Sequence, residues 1–201
     1  DMILAGNFAT PSNIQIMREL GGGLLCVAIP NEIGLILDLP YMWQLLDSAN
    51  DSYSSLSNII NTDVSVNNRS THSITFNQRK LGSVTDLGKS NTIISLTKLC
   101  NNWSTNNNLK NIFYSTFESP GHLQLLIGTK GLIKSRQGHT ELALFLTNLA
   151  ELTPVVIMCE MLDGHTFDSL NVEDCKKIAE QNKFIFLESE TLIKYYHNQK
   201  I

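Results

Sequence analysis

The hexamer Arg136-Gln137-Gly138-His139-Thr140-Glu141 places a guanidinium, a glycine and an imidazole directly ahead of an apolar helical pattern. Arg136 offers a planar fork of donors that suits a phosphate. Gly138 lets the backbone approach a ligand closely. His139 and Thr140 fall at the start of the helix, where free N–H groups and the positive dipole end favour an anion. The same residues also read as a plain helix cap, with Thr140 as N-cap and His139 merely adjacent. Local chemistry does not separate the two readings.

Other side chains are weaker on their own. Ser119-Pro120-Gly121-His122 reads as a tight turn leading into a strand. His122 there could donate to a phosphate or shuttle a proton, but residue type alone favours a surface histidine. Cys159-Glu160 ends an apolar run. A carboxylate at that place is costly unless it is paired, working, or reaching solvent. Asp1 reads as a frayed terminus and Cys26 as a core thiol. Thr85, Asp86, Lys89 and Ser90 read as a polar turn, with Asn91 capping a helix over residues 91–99.

These residues must be positioned by ordinary elements. Residues 1–6 read as a short strand. Thr10 and Pro11 open a helix whose Ile14, Met17 and Leu20 share one face. A glycine stop and a buried strand follow in "GGGLLCVAI", then a short helix before Pro40. Residues 47–72, rich in Ser and Asn, read as a flexible, exposed insertion. "HSITFN", "LQLLI", "PVVIMCE" and "FIFLE" read as strands. "GHTELALFLTNLAEL", "NVEDCKKIAEQNK" (capped by Asn171) and "SETLIKYYHNQ" read as helices. The alternation predicts an α/β or α+β domain.

The bulk numbers exclude several partners. The 201 residues are long enough for a sizeable core, and 42% hydrophobic with 17% charged residues is ordinary for a folded domain. A net charge of −4 suggests neither nucleic acid nor an anionic membrane. No apolar run is long enough to span a bilayer. The four cysteines form no CxxC pair, which points to a reducing, cytoplasmic setting.

Taken together, "DMILAGNFATPSNIQIMRELGGGLLCVAI", "LDLPYM", "SITFNQRK", "SPGHLQLL", "GLIKSRQGHTELALFLTNLAEL" and "VIMCEM" occur in the order found in the 3,4-dihydroxy-2-butanone 4-phosphate synthase family. The chain resembles its archaeal branch over essentially its whole length, the Ser/Asn-rich stretch apart. The resemblance implies an α+β fold, a single-domain sandwich of mixed sheet and helices over 1–201. It implies a lyase of riboflavin biosynthesis, converting D-ribulose 5-phosphate to L-3,4-dihydroxy-2-butanone 4-phosphate and formate. It further implies Mg²⁺ or Mn²⁺ and a homodimer with sites at the subunit interface.

By residue, the resemblance makes His139 the metal-binding histidine and Arg136, Gln137, Gly138, His139 and Thr140 the substrate-binding turn. His122 and Glu160 match positions needed for activity. Asp1 matches an aspartate that contacts substrate, and Cys26 a cysteine lining the pocket. Asp1 and Glu160 become the proton-carrying carboxylates, and both would touch substrate. Two departures stand out. In the family a strand and an acidic loop with an Arg-Glu pair and the metal-binding glutamate precede the position of Asp1; they are missing from 1–201. Gly88-Lys89 stands where the family has an Asp-Arg pair, and lysine lacks the bidentate fork. These departures leave open a non-catalytic homologue that keeps the fold and binds a phosphorylated ligand.

Overall fold

The computed structural model describes residues 1–60, 65 and 68–199. Its elements in chain order are β1 (Met2–Ala5), α1 (Pro11–Gly21), β2 (Gly22–Ile29), α2 (Asn31–Ile36), α3 (Met42–Ser48), β3 (His72–Gln78), α4 (Asp86–Cys100), α5 (Leu109–Thr116), β4 (Phe117–Ile127), α6 (His139–Leu149), β5 (Val156–Met161), α7 (Val172–Asn182) and α8 (Ser189–Asn198). The strands form one mixed sheet in the order β1-β5-β2-β4-β3. β2 and β4 are parallel; the other neighbours are antiparallel. No helix among the described residues is long and apolar enough to cross a membrane.

Local chemistry accounts for the ends of α1. The Thr10 hydroxyl accepts from the Asn13 N–H, and Pro11 occupies the first turn, where its missing donor costs nothing. Gly22, at φ +81°, ends the helix in the left-handed conformation and turns the chain into β2.

Both faces of the central strands are covered, which is why "LLCVAI" is a continuous apolar run rather than an alternating one. Leu25, Val27, Leu123, Leu125 and Ile157 point to the main core with Ile14, Ile93, Leu96 and Phe113 from α1, α4 and α5. Cys26, Ala28, Leu126, Val156 and Met158 point the other way, beneath Ala143 and Leu144 of α6. α8 packs Leu192 against Leu142 and Phe145 on the outer side of α6. Each large side chain so buried is worth about 1.5–3 kcal/mol of transfer free energy.

Several expectations are corrected. α4 begins at Asp86, not at residue 91, because the Thr85 hydroxyl caps the Gly88 N–H at 3.1 Å; Asn91 lies inside the helix. Ser119–His122 is no turn before a strand. It lies within β4, with a cis Ser119–Pro120 bond inside it, as a bulge between the pairs Asn77↔Glu118 and Phe76↔Leu123. Gly121 permits it: a Cβ there would lie 2.1 Å from the Phe76 carbonyl carbon. α6 is capped by Gly138, not Thr140, which is its second residue. Phe184–Glu188 forms no strand and stays exposed between α7 and α8, because among the described residues no sheet edge pairs with it. α3 and α5 are helices that the apolar pattern did not announce.

The stretch 47–72 is also narrower than expected. It ends before β3, whose first residue is His72, and Thr71 is buried. Leu56–Ile59 forms a 3-10 turn with Ile59 exposed. The expected flexibility of 61–64, 66 and 67 lies outside the described residues.

Candidate functional site

The α6 side of the sheet carries a cavity of about 160 Å³. Cys26 on β2 and Met158 on β5 are register partners and form its floor. Glu160, two residues beyond Met158, projects on the same face at the rim, where it is exposed. The mouth of α6 supplies Arg136, His139 and Thr140; Asp1 and the start of β3 close the sides.

The mouth of α6 is held from several directions. Arg136 donates from Nη1 to Glu141 Oε2 at 2.9 Å. The Thr140 hydroxyl meets that of Thr71 at 3.2 Å, tying the helix to the residue before β3. Asp1 Oδ2 lies 3.0 Å from His139 Nδ1. Glu160 has its room because residue 23 is glycine: a Cβ there would stand 2.7 Å from Glu160 Cβ and 2.8 Å from Oε2.

Charge states follow from position. Burial first, and then the nearby carboxylate of Glu160, pushes the Cys26 thiol up to about 12. It is therefore a neutral thiol, not a thiolate nucleophile. The His139 imidazole is lowered from its ordinary value, by the buried edge of the ring first and also by the neighbouring Arg136 guanidinium. Neutral imidazole is the form that ligates metal.

Of the residues expected from sequence, Asp1, Cys26, Arg136, His139, Thr140 and Glu160 line one cavity. Gln137 is exposed and does not line it, and Gly138 stands behind it as the helix cap. His122 does not line it either. It is exposed on the bulge of β4, where its backbone N–H donates to Asn77 Oδ1 at 2.9 Å. The Asn77 amide nitrogen, 2.9 Å from the ring, must then donate to His122 Nδ1, which leaves the neutral ring's proton on Nε2. Sequence reasoning missed Asn77, Thr71 and His72; their polarity within strand patterns was the only signal.

A divalent ion can be tested against the donors present. His139 keeps Nε2 free while Nδ1 is taken by Asp1, the arrangement that orients metal-bound histidines. Glu160 adds one carboxylate at the rim. Among the described residues no group of three or more His, Cys, Asp or Glu side chains could hold an ion. His139 and Glu160 would supply at most two ligands, and an ion such as Mg²⁺, which keeps waters and takes substrate oxygens beside one or two carboxylates, would draw the rest of its shell from those.

The sheet, the helix mouth and the cavity define an α+β protein suited to holding a small anionic molecule against acid–base groups. The family model of 3,4-dihydroxy-2-butanone 4-phosphate synthase matches residues 1–195. The chain belongs to that family of riboflavin-biosynthesis enzymes. The synthase of Methanothermobacter thermautotrophicus is 36% identical over 197 residues, covering 98% of this chain and 84% of the relative. That of Candida albicans is 24% identical over 195 residues, covering 97% and 82%. The solved Candida albicans synthase has the same fold, with a TM-score of 0.72 at 21% identity, over 96% of this chain and 82% of that one. A synthase solved in complex with two magnesium ions gives 0.73 at 18% identity, over 98% and 84%.

Proposed function

We propose that this chain converts D-ribulose 5-phosphate to L-3,4-dihydroxy-2-butanone 4-phosphate and formate, using Mg²⁺ or Mn²⁺. The observation that carries the reading is the convergence of Asp1, Arg136, His139, Thr140 and Glu160 on one cavity from three separate parts of the chain.

Arg136 and the free N–H groups at the mouth of α6 hold the phosphate. His139 Nε2 and Glu160 would hold the ion, which would supply a Lewis acid for the substrate's oxygens. Asp1 and Glu160 take protons from the sugar carbons and return them as the skeleton rearranges. Cys26, a neutral thiol on the cavity floor, shapes the pocket and supplies no nucleophile. Gln137 stays at the outer edge of the turn, and Gly138 lets the phosphate approach the backbone.

The cavity is small and open at its rim, so a second copy of the chain completes it in a homodimer. His122, exposed and oriented by Asn77 with Nε2–H outward, is the group such a copy contributes as an acid.

The test is to incubate the protein with ribulose 5-phosphate and either ion and follow formate by proton NMR. Formate at the rate of substrate loss supports the lyase. No formate with Mg²⁺ or Mn²⁺ sinks it and leaves a fold-retaining homologue that binds a phosphorylated ligand.

A further inference from the structure

Glu141 is a carboxylate with no exposed surface, in the first turn of α6. Both of its oxygens are engaged. Oε1 accepts from the Thr129 N–H at 3.0 Å, and Oε2 accepts from Arg136 Nη1 at 2.9 Å. A buried charge is tolerated only when paired and hydrogen-bonded in this way. Gly138 passes between the partners: a Cβ there would lie 2.8 Å from Arg136 Cζ, from Arg136 Nη1 and from Glu141 Oε2. Arg136 makes no other side-chain hydrogen bond among the described residues, so the rest of its fork is unspent at the cavity wall.

We propose that Glu141 is a positioning residue for substrate binding. It anchors Arg136 to the end of β4 through Thr129, so that the free edge of the guanidinium stands ready for the phosphate. An arginine left to rotate would have to be ordered by the ligand, at a cost in affinity. Glu141 and Gly138 do that ordering in advance. The inference rests on the reading of Arg136 as the phosphate ligand.

The experiment compares wild type, Glu141→Gln, Arg136→Met and the double variant by steady-state formate release and by calorimetry with inorganic phosphate. Glu141→Gln is expected to raise KM for ribulose 5-phosphate by about 10- to 100-fold while kcat falls by less than about threefold. The double variant is expected to match Arg136→Met alone, because both changes act through one guanidinium. A fall in kcat at unchanged KM, or additive effects, overturns the proposal. If Glu141→Gln does not fold, Glu141→Asp draws the carboxylate back from Arg136 with both charges kept; a similar rise in KM supports the role and an unchanged KM overturns it. If wild type makes no formate, the lyase reading fails separately. Weaker binding of inorganic phosphate to the variant than to wild type then supports the role of Glu141, and equal binding overturns it.

Discussion

Asp1 Oδ2 lies 3.0 Å from His139 Nδ1, joining the first residue of the chain to the first residue of α6. The Asp1 side chain is 11% exposed and that of His139 74%, so the carboxylate holds the ring from its inner edge and Nε2 is left available. Asp1→Asn should weaken the apparent affinity for Mg²⁺ by about 10- to 100-fold. Formate release measured against Mg²⁺ concentration checks this; an unchanged half-saturating concentration would remove Asp1 from the role.

Gly23 carries no functional group, yet its substitution should be felt at the site. In Gly23→Ala the new methyl would stand 2.7 Å from Glu160 Cβ and from its carbonyl oxygen, so β5 or the carboxylate must shift. Turnover should fall by about 100-fold, the usual cost of misplacing a reacting group by about an ångström. Steady-state kinetics beside a circular dichroism melt would show it; unchanged kcat would mean that Glu160 tolerates displacement.

Cys26 should resist alkylation. With its thiol at about 12, only about one molecule in ten thousand carries the thiolate at pH 8. Cys175 is half-exposed and should be labelled first by iodoacetamide. Mass spectrometry of the folded protein over time gives the order; early labelling at Cys26 contradicts the burial that sets its value.

Asp86 should make stability depend on acid. Arg18 donates to both of its oxygens, at 3.0 and 2.9 Å, and this pair holds the carboxyl below its ordinary value. A carboxyl lowered in the folded state stabilises fully above its unfolded value, near 3.9, and that contribution is lost as pH falls through the folded value. The gap in melting temperature between wild type and Arg18→Ala should therefore be steady from pH 7 to pH 5. It should narrow as pH falls below about 3.9 and through the lowered folded value. A gap that does not narrow at all in acid would assign the effect to packing of the arginine stem.

Phe76 supports the strand pair that carries the bulge of β4. It is fully buried, with ring centroids 5.5 Å from Phe117 and 6.2 Å from Phe113. Phe76→Ala should cost about 3–5 kcal/mol in urea unfolding. A smaller loss would show that the α5 side of the core collapses into the space.

Elements whose causes are local were legible from the residues alone. Thr10 and Pro11 open α1, Asn171 caps α7 at the Asp174 N–H, and the unbroken apolar runs of β2 and β5 mark strands covered on both faces. The Arg136–Glu141 turn was legible as the start of a helix, but cap and anion site were not separable there, because helix-start donors and a guanidinium serve either over a few residues. What the tertiary structure decided is every relationship set by strand pairing. The register Cys26↔Met158 puts Glu160 above the cavity, and β1 beside β5 brings Asp1 to His139. Asn77 takes His122 out of the cavity and onto an exposed bulge, and no periodicity in β4 records that. Phe184–Leu187 has the composition of a strand but not its structure, since a strand exists only where an edge offers its hydrogen bonds. Local propensity is written residue by residue; which distant segment a residue meets depends on the packing of the whole chain.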